Sequence, residues 1–203
     1  MDNFVVFDLE TTGFSPESNE IIEIGAWKVK DGVVVDKFSQ LIKPYGFIPK
    51  NVRCITGITN EMVMDCDTYE SVLLEFLDFC EDLPFLGHNL EFDFGFVHTK
   101  GRNIGIDFSL NGQRQGVCTL KLTRKFLPDI SHKLGDLVEY YGISKELMSG
   151  DFHRAYYDAY MTKLIYDRLK VNYGGLISLE PVDLVEKNKY YGKVSCDESL
   201  DFE

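Results

Sequence analysis

The sequence predicts an α/β fold: a mixed central sheet with three antiparallel N-terminal strands, flanked by helices. Three observations carry this. Phe4-Val5-Val6-Phe7 is a short continuous apolar run, the pattern of a strand buried on both faces. Ile21 to Lys30 and Val33 to Ile42 are strand-like and joined by Asp31-Gly32, a two-residue hairpin turn. After residue 60, helical periodicity alternates with one more short apolar run, as in layered α/β domains.

Taken in order, residues 4–10, 21–30 and 33–42 form an antiparallel meander. Residues 60–65 suit a short helix. Residues 69–82 carry Val72, Leu73, Phe76, Leu77, Phe79 and Cys80 at helical spacing and suit a longer one. Pro84 to Gly87 reads as a strand running into a loop, followed by a helix over 90–100. Further helices are expected at 119–127, 133–141 and 154–171, the first two punctuated by Pro128 and Gly142. Past Tyr173 the periodicity fails, and Gly174-Gly175 opens a stretch of mixed charge with Pro181. The expected organisation is one domain over 1–173 and a C-terminal extension over 174–203.

Composition narrows the function classes. No stretch approaches 18 apolar residues, so a membrane span is not expected. Met1-Asp2-Asn3 puts an acid where a secretory leader carries its basic region, and the five cysteines are scattered with no CxxC pair. Both fit a reducing cytoplasm. The formal net charge of −12 argues against a protein that coats nucleic acid by neutralising phosphates. The charge is uneven, however. Residues 1–97 hold 6 bases and 18 acids, whereas 98–133 hold 7 bases and 2 acids. That basic island (Lys100, Arg102, Arg114, Lys121, Arg124, Lys125, Lys133) is either a solvated surface or a docking strip for a polyanion.

Four carboxylates sit in awkward places. Asp8 and Glu10 end the first strand and, two residues apart, share one face. Like charges there repel, although a solvated strand end would accommodate them. Asp93 shares the apolar face of its helix with Phe96 and Val97, and Asp158 falls in a stripe with Ala155, Met161, Ile165 and Leu169. An acid inside an apolar stripe is costly unless a cation meets it. A shared metal site explains all four more simply than four separate structural roles. Oxygen donors suit Mg²⁺ or Mn²⁺ over Zn²⁺, and four acids suffice for two ions about 3.5–4 Å apart, the arrangement used for phosphodiester cleavage. His153, five residues before Asp158, falls in the loop entering the last helix, where an imidazole suits a general base near neutral pH.

These segments resemble one known family. Asp8-Leu9-Glu10-Thr11-Thr12-Gly13, His88-Asn89-Leu90-Glu91-Phe92-Asp93 and His153-Arg154-Ala155-Tyr156-Tyr157-Asp158-Ala159 resemble, in order, the three motifs of the DnaQ-like DEDDh 3′→5′ exonucleases. Ile55 to Met62 resembles their connecting segment. Thr119 to Leu122, Ser131 to Leu134 and Tyr141 to Ile143 follow the family's usual course. The likeness covers about residues 3–172 and is nearest to the proofreading exonucleases of bacterial replicative polymerases, of epsilon or PolC type. It implies an RNase H-like fold. It also implies two Mg²⁺ or Mn²⁺ ions on Asp8, Glu10, Asp93 and Asp158, with His153 taking the proton of the attacking water. Thr11 would lie at the 3′-terminal sugar. Met62 and Phe92 would pack against the terminal nucleotides with Asn89 beside them, unless Met62 and Phe92 are ordinary core. The implied substrate is a single-stranded DNA 3′ end, and polymerase or sliding clamp is the implied partner. Short RNA as substrate, or a non-catalytic adaptor, are the competing readings. The Thr-Thr-Gly form of the first motif leans toward the DNA enzymes. Glu198-Ser199-Leu200-Asp201-Phe202 faintly resembles a clamp-binding peptide without its usual Gln. Cys118 and the bulky Tyr156-Tyr157 pair depart from the family pattern.

Overall fold

The computed structural model describes residues 1–109, 114–143 and 154–182. The strands are β1 (Phe4–Thr11), β2 (Ile21–Lys30), β3 (Val33–Leu41), β4 (Phe85–Gly87), β5 (Gln115–Cys118) and β6 (Glu180–Pro181). The helices are α1 (Lys50–Thr56), α2 (Asn60–Val63), α3 (Tyr69–Cys80), α4 (Leu90–Asn103), α5 (Thr119–Phe126), α6 (Leu134–Tyr140) and α7 (Ala155–Tyr173). The strands form one sheet in the order β3-β2-β1-β4-β5-β6. β1 runs antiparallel to β2, and β2 to β3, while β1, β4 and β5 are parallel and β6 returns antiparallel. The mixed sheet and its N-terminal meander are those the sequence predicts. At the β2–β3 turn both Asp31 (φ 52°) and Gly32 (φ 77°) take positive φ, as a tight hairpin turn requires.

β1 lies inside the sheet, and Phe4 to Phe7 are buried on both faces. On one face Val5, Phe7 and Leu9 join Ile24, Ala26 and Phe38 under α3 and α4. Phenylalanines dominate there: the Phe7 ring centroid lies 4.9 Å from Phe85 and 5.5 Å from Phe76. The other face carries Phe4, Val6, Val29, Leu86 and Val117 against Ala159 and Tyr166 of α7. The sheet is therefore covered on both sides, which explains why β1 reads as an unbroken apolar run.

Three elements escape the sequence reading. α1 is a seven-residue helix between Pro49 and Gly57, the latter in the left-handed conformation that ends helices (φ 70°). β5 is four residues long and pairs with β4. β6 pairs Glu180 and Pro181 with Gly116 and Gln115, and the Val182 N–H donates to the Arg114 carbonyl (2.8 Å), so residues 174–182 return to the sheet edge. The clamp-like segment 198–202 lies outside the described residues.

The basic island is not one surface. Arg114 is buried, its guanidinium 4.0 Å from the Phe85 ring centroid and donating to the Glu81 carbonyl (3.1 Å). Lys100 is buried near the Tyr69 ring. Lys121 pairs with Glu91. The docking strip read from charge counting therefore loses two of its seven cations to the interior.

Candidate active site

The site is built at the C-terminal end of β1. Asp8 and Glu10 point to the α7 face, because the alternation that puts Val5, Phe7 and Leu9 under α3 and α4 puts Val6, Asp8 and Glu10 opposite. Asp158, one turn into α7, faces them. Carboxylate oxygens of Asp8, Glu10 and Asp158 all lie within 4.8 Å of one another. Each of the three keeps part of its surface toward solvent, so the cluster is open to a ligand.

Asp93 stands beside this trio. It is 3% exposed, in the first turn of α4. β4 aligns only Phe85 and Leu86 with Val5 and Val6, so β1 runs on past its parallel neighbour. In that gap the Asp93 carboxylate accepts the backbone N–H of Leu9, which ties α4 to the strand between Asp8 and Glu10. Its charge reaches both of them.

The electrostatics follow from crowding acids together. Loss of water pushes the Asp8 carboxyl well above the usual range, and the neighbouring charges of Asp93, Asp158, Glu10 and Glu23 push it further. Glu10 is raised to about 8, first by desolvation, then by Asp158, Glu23 and Asp93, against a lowering by Arg154. Burial likewise raises Asp93, opposed by its bonds from the Leu9 N–H and its own N–H. The donor set is all oxygen, partly desolvated and short of positive charge. Those are the properties of a hard divalent cation site.

The remaining residues singled out from the sequence fall as follows. Thr11 ends β1, and its hydroxyl donates to the Gly13 carbonyl (2.7 Å), closing the turn after the acid pair. Asn89 takes the left-handed conformation (φ 71°) at the start of α4, and its carbonyl accepts the Phe92 N–H (2.8 Å). Phe92 is partly buried against the core, 5.1 Å from the Phe96 ring. Met62 is 41% exposed on α2, next to Val63, which packs on Ile22 of β2. His153 lies outside the described residues. His88 is locked between the Thr119 hydroxyl (2.9 Å) and the His132 carbonyl (2.9 Å). Burial drives its pKa down to about 4, so it is neutral at pH 7 and serves to brace the loop before Asn89.

Sequence reasoning missed Glu23 and Arg154. Glu23 is the cross-strand partner of Glu10 and is 0% exposed. It accepts Arg154 through Nε (2.9 Å) and Nη2 (2.7 Å), and it accepts the Ala155 N–H (3.1 Å) at the start of α7. Two residues on, a Cβ on Gly25 would stand 1.9 Å from the Tyr156 nitrogen, so only glycine allows this approach. Two further on, the Trp27 indole N–H donates to the Tyr156 carbonyl (2.7 Å). One face of β2 thus seats the helix that delivers Asp158. An acid inside the apolar run Ile21-Ile22-Glu23-Ile24 is the same anomaly that marks Asp93, and it could have been found the same way.

Comparison with known proteins places the fold and this cluster in a class. The profile of the exonuclease family RNase_T matches residues 5–166, and the chain belongs to that family. Its relatives include components of DNA polymerase III. The DNA polymerase III subunit epsilon of Aquifex aeolicus is 38% identical over 168 residues, which span 82% of this chain and 79% of that protein. The PolC-type DNA polymerase III of Staphylococcus saprophyticus is 37% identical over 167 residues, which span 82% of this chain but 11% of that much longer protein. Exonuclease X in complex with 5′-overhanging duplex DNA superposes with a TM-score of 0.68 at 26% identity, covering 84% of this chain and 92% of that one. The nuclease domain of 3′hExo, a DEDDh family member bound to rAMP, shares the fold (TM-score 0.72, 20% identity, 88% and 96% covered). The chain is a DnaQ-like DEDDh 3′→5′ exonuclease with an RNase H-like fold.

Proposed function

We propose that this exonuclease trims single-stranded DNA from its 3′ end and releases nucleoside 5′-monophosphates, in a proofreading or repair role. The observation that carries the reading is the convergence of Asp8, Glu10 and Asp158 within 4.8 Å, with buried Asp93 alongside. These four would hold two divalent cations, Mg²⁺ or Mn²⁺. Bound there, the cations would supply Lewis acidity toward the scissile phosphodiester and its attacking water. The chain's own part is positional. β1 presents Asp8 and Glu10 on one face, α7 brings Asp158 opposite, and Asp93 holds the end of β1 by the Leu9 N–H. His153, by its motif, takes the proton of the attacking water; it adjoins Arg154, which Glu23 fixes. Thr11 would meet the terminal sugar. Met62, Asn89 and Phe92 would line the terminal bases, where apolar contact tolerates any base.

DNA is favoured over RNA because relatives at 37–38% identity are DNA polymerase III components. The same kinship supports association with a replicative polymerase. The sliding clamp rests only on the segment 198–202. No helix among the described residues is long and apolar enough to cross a membrane, and the four described cysteines are free thiols, in keeping with a cytoplasmic setting.

The test uses 5′-labelled single-stranded DNA and RNA oligomers of one sequence with Mg²⁺ or Mn²⁺. DNA should shorten stepwise from its 3′ end, EDTA should stop the reaction, and Asp8→Asn should abolish it. Preferential shortening of RNA would reassign the substrate. Strands bound but left intact by the wild-type chain would refute the enzymatic reading.

A further inference from the structure

The arginine nearest the acid cluster raises a physical question. Arg154 precedes α7 by one residue, and its field reaches Glu10. A guanidinium is a permanent cation with a fork that fits carboxylates. Settled on Glu10 or Asp8, it would neutralise the cluster and take the place of a metal. It is instead committed to Glu23, and every feature around Glu23 reinforces that commitment.

Glu23 is wholly buried, and its carboxylate accepts three N–H donors, from Arg154 Nε, Arg154 Nη2 and Ala155 N. Arg154 is partly exposed (27%) and so has room to move if released. Glu10 and Glu23 are paired across β1 and β2, so their side chains stand side by side on one face. The guanidinium therefore needs only to shift across one strand spacing to reach the cluster. The backbone of residues 155–156 is pressed against Gly25 and bonded to Trp27, which holds the base of Arg154 over β2.

We infer that Glu23 is a positioning residue that holds the Arg154 guanidinium away from Asp8, Glu10 and Asp158 and so keeps the cluster available to divalent cations. The inference rests on the metal-site reading above. That role accounts for a buried acid, itself no member of the cluster, beside Asp8 and Glu10. Glu23 shares the cluster's side of the sheet, but its oxygens are taken up by the N–H donors of Arg154 and Ala155.

The test is Mn²⁺ binding to the metal-free full chain, followed by titration calorimetry and by the loss of the free-ion electron-spin resonance signal. Glu23→Gln keeps an acceptor for the Ala155 N–H but removes the charge that draws the arginine to β2, and it should weaken Mn²⁺ binding by on the order of tenfold. E23Q/R154Q removes the competing cation and should restore affinity to within about threefold of wild type. Wild-type affinity in E23Q, or no recovery in the double variant, overturns the inference. If E23Q alone does not fold, the double variant decides: near-wild-type affinity supports the inference and weak binding overturns it. Failure of the wild-type chain to bind Mn²⁺ would strike the underlying site reading first. Binding without nucleotide release would strike the exonuclease reading and leave the role of Glu23 standing.

Discussion

Replacing Glu10 by Gln should stabilise the metal-free protein while removing its activity. Glu10 titrates near 8 in the folded chain against an ordinary value of 4.5. Between those values the folded state binds more protons than the unfolded state, so the wild type loses stability as pH rises. At ~1.4 kcal/mol per pH unit, the ionised carboxylate costs about 1 kcal/mol at pH 5 and about 4 kcal/mol at pH 8. Glu10 is partly open to water, which reduces the larger figure to about 2 kcal/mol. Gln keeps the shape and cannot ionise. Urea unfolding in EDTA at pH 5 and pH 8 should therefore show E10Q more stable than wild type by about 2 kcal/mol at pH 8, with the gap closing at pH 5. Adding Mn²⁺ should then reverse the order, because ligand binding to the native state stabilises the wild type preferentially. An E10Q protein that is less stable than wild type at pH 8 in EDTA would refute the reasoning, since Glu10 would then be a satisfied structural acid.

Four further outcomes are expected. Asp158→Asn should lower nucleotide release on the order of 10³-fold, a loss of several kcal/mol of transition-state stabilisation, with thermal stability in EDTA equal to or above wild type. Gly25→Ala should cost about 3 kcal/mol or more in thermal or urea unfolding, because its Cβ would strike the Tyr156 nitrogen at 1.9 Å, and backbone on backbone cannot yield as a side chain can. Arg114→Gln should cost about 2 kcal/mol of stability yet leave the salt dependence of single-stranded DNA binding unchanged, because this arginine stacks on Phe85 inside the protein. Exposed Lys125→Gln should do the opposite, flattening the salt slope of binding without loss of stability.

Much of the molecule is written in local pattern. The apolar run Phe4 to Phe7 marks a strand covered on both faces, Asp31-Gly32 forces the hairpin, and two-residue alternation alone places Asp8 and Glu10 on one side of β1. The acids within the apolar faces of α4 and α7 stand out because each violates its helix's pattern. β5 and β6 were not legible: four residues containing Gly116, and two containing Pro181, are too short and too weak in strand preference to declare themselves. They become strands only because β4 and then β5 offer them an edge.

What residue types and spacing determined was the inventory: a meander, its helices, and a set of acids each out of place among its neighbours. Tertiary structure decided which of those charges meet. The register of β2 on β1 sets Glu23 beside Glu10, and the absent side chain of Gly25 lets α7 come close enough to bring Asp158 to the end of β1. It also sent Arg114 and Lys100 inward, so that counted charge and surface charge differ. Periodicity acts between neighbours in the chain, whereas the energy of an ion depends on the distance to other ions and on the water left around it. Those two quantities exist only after the chain has folded.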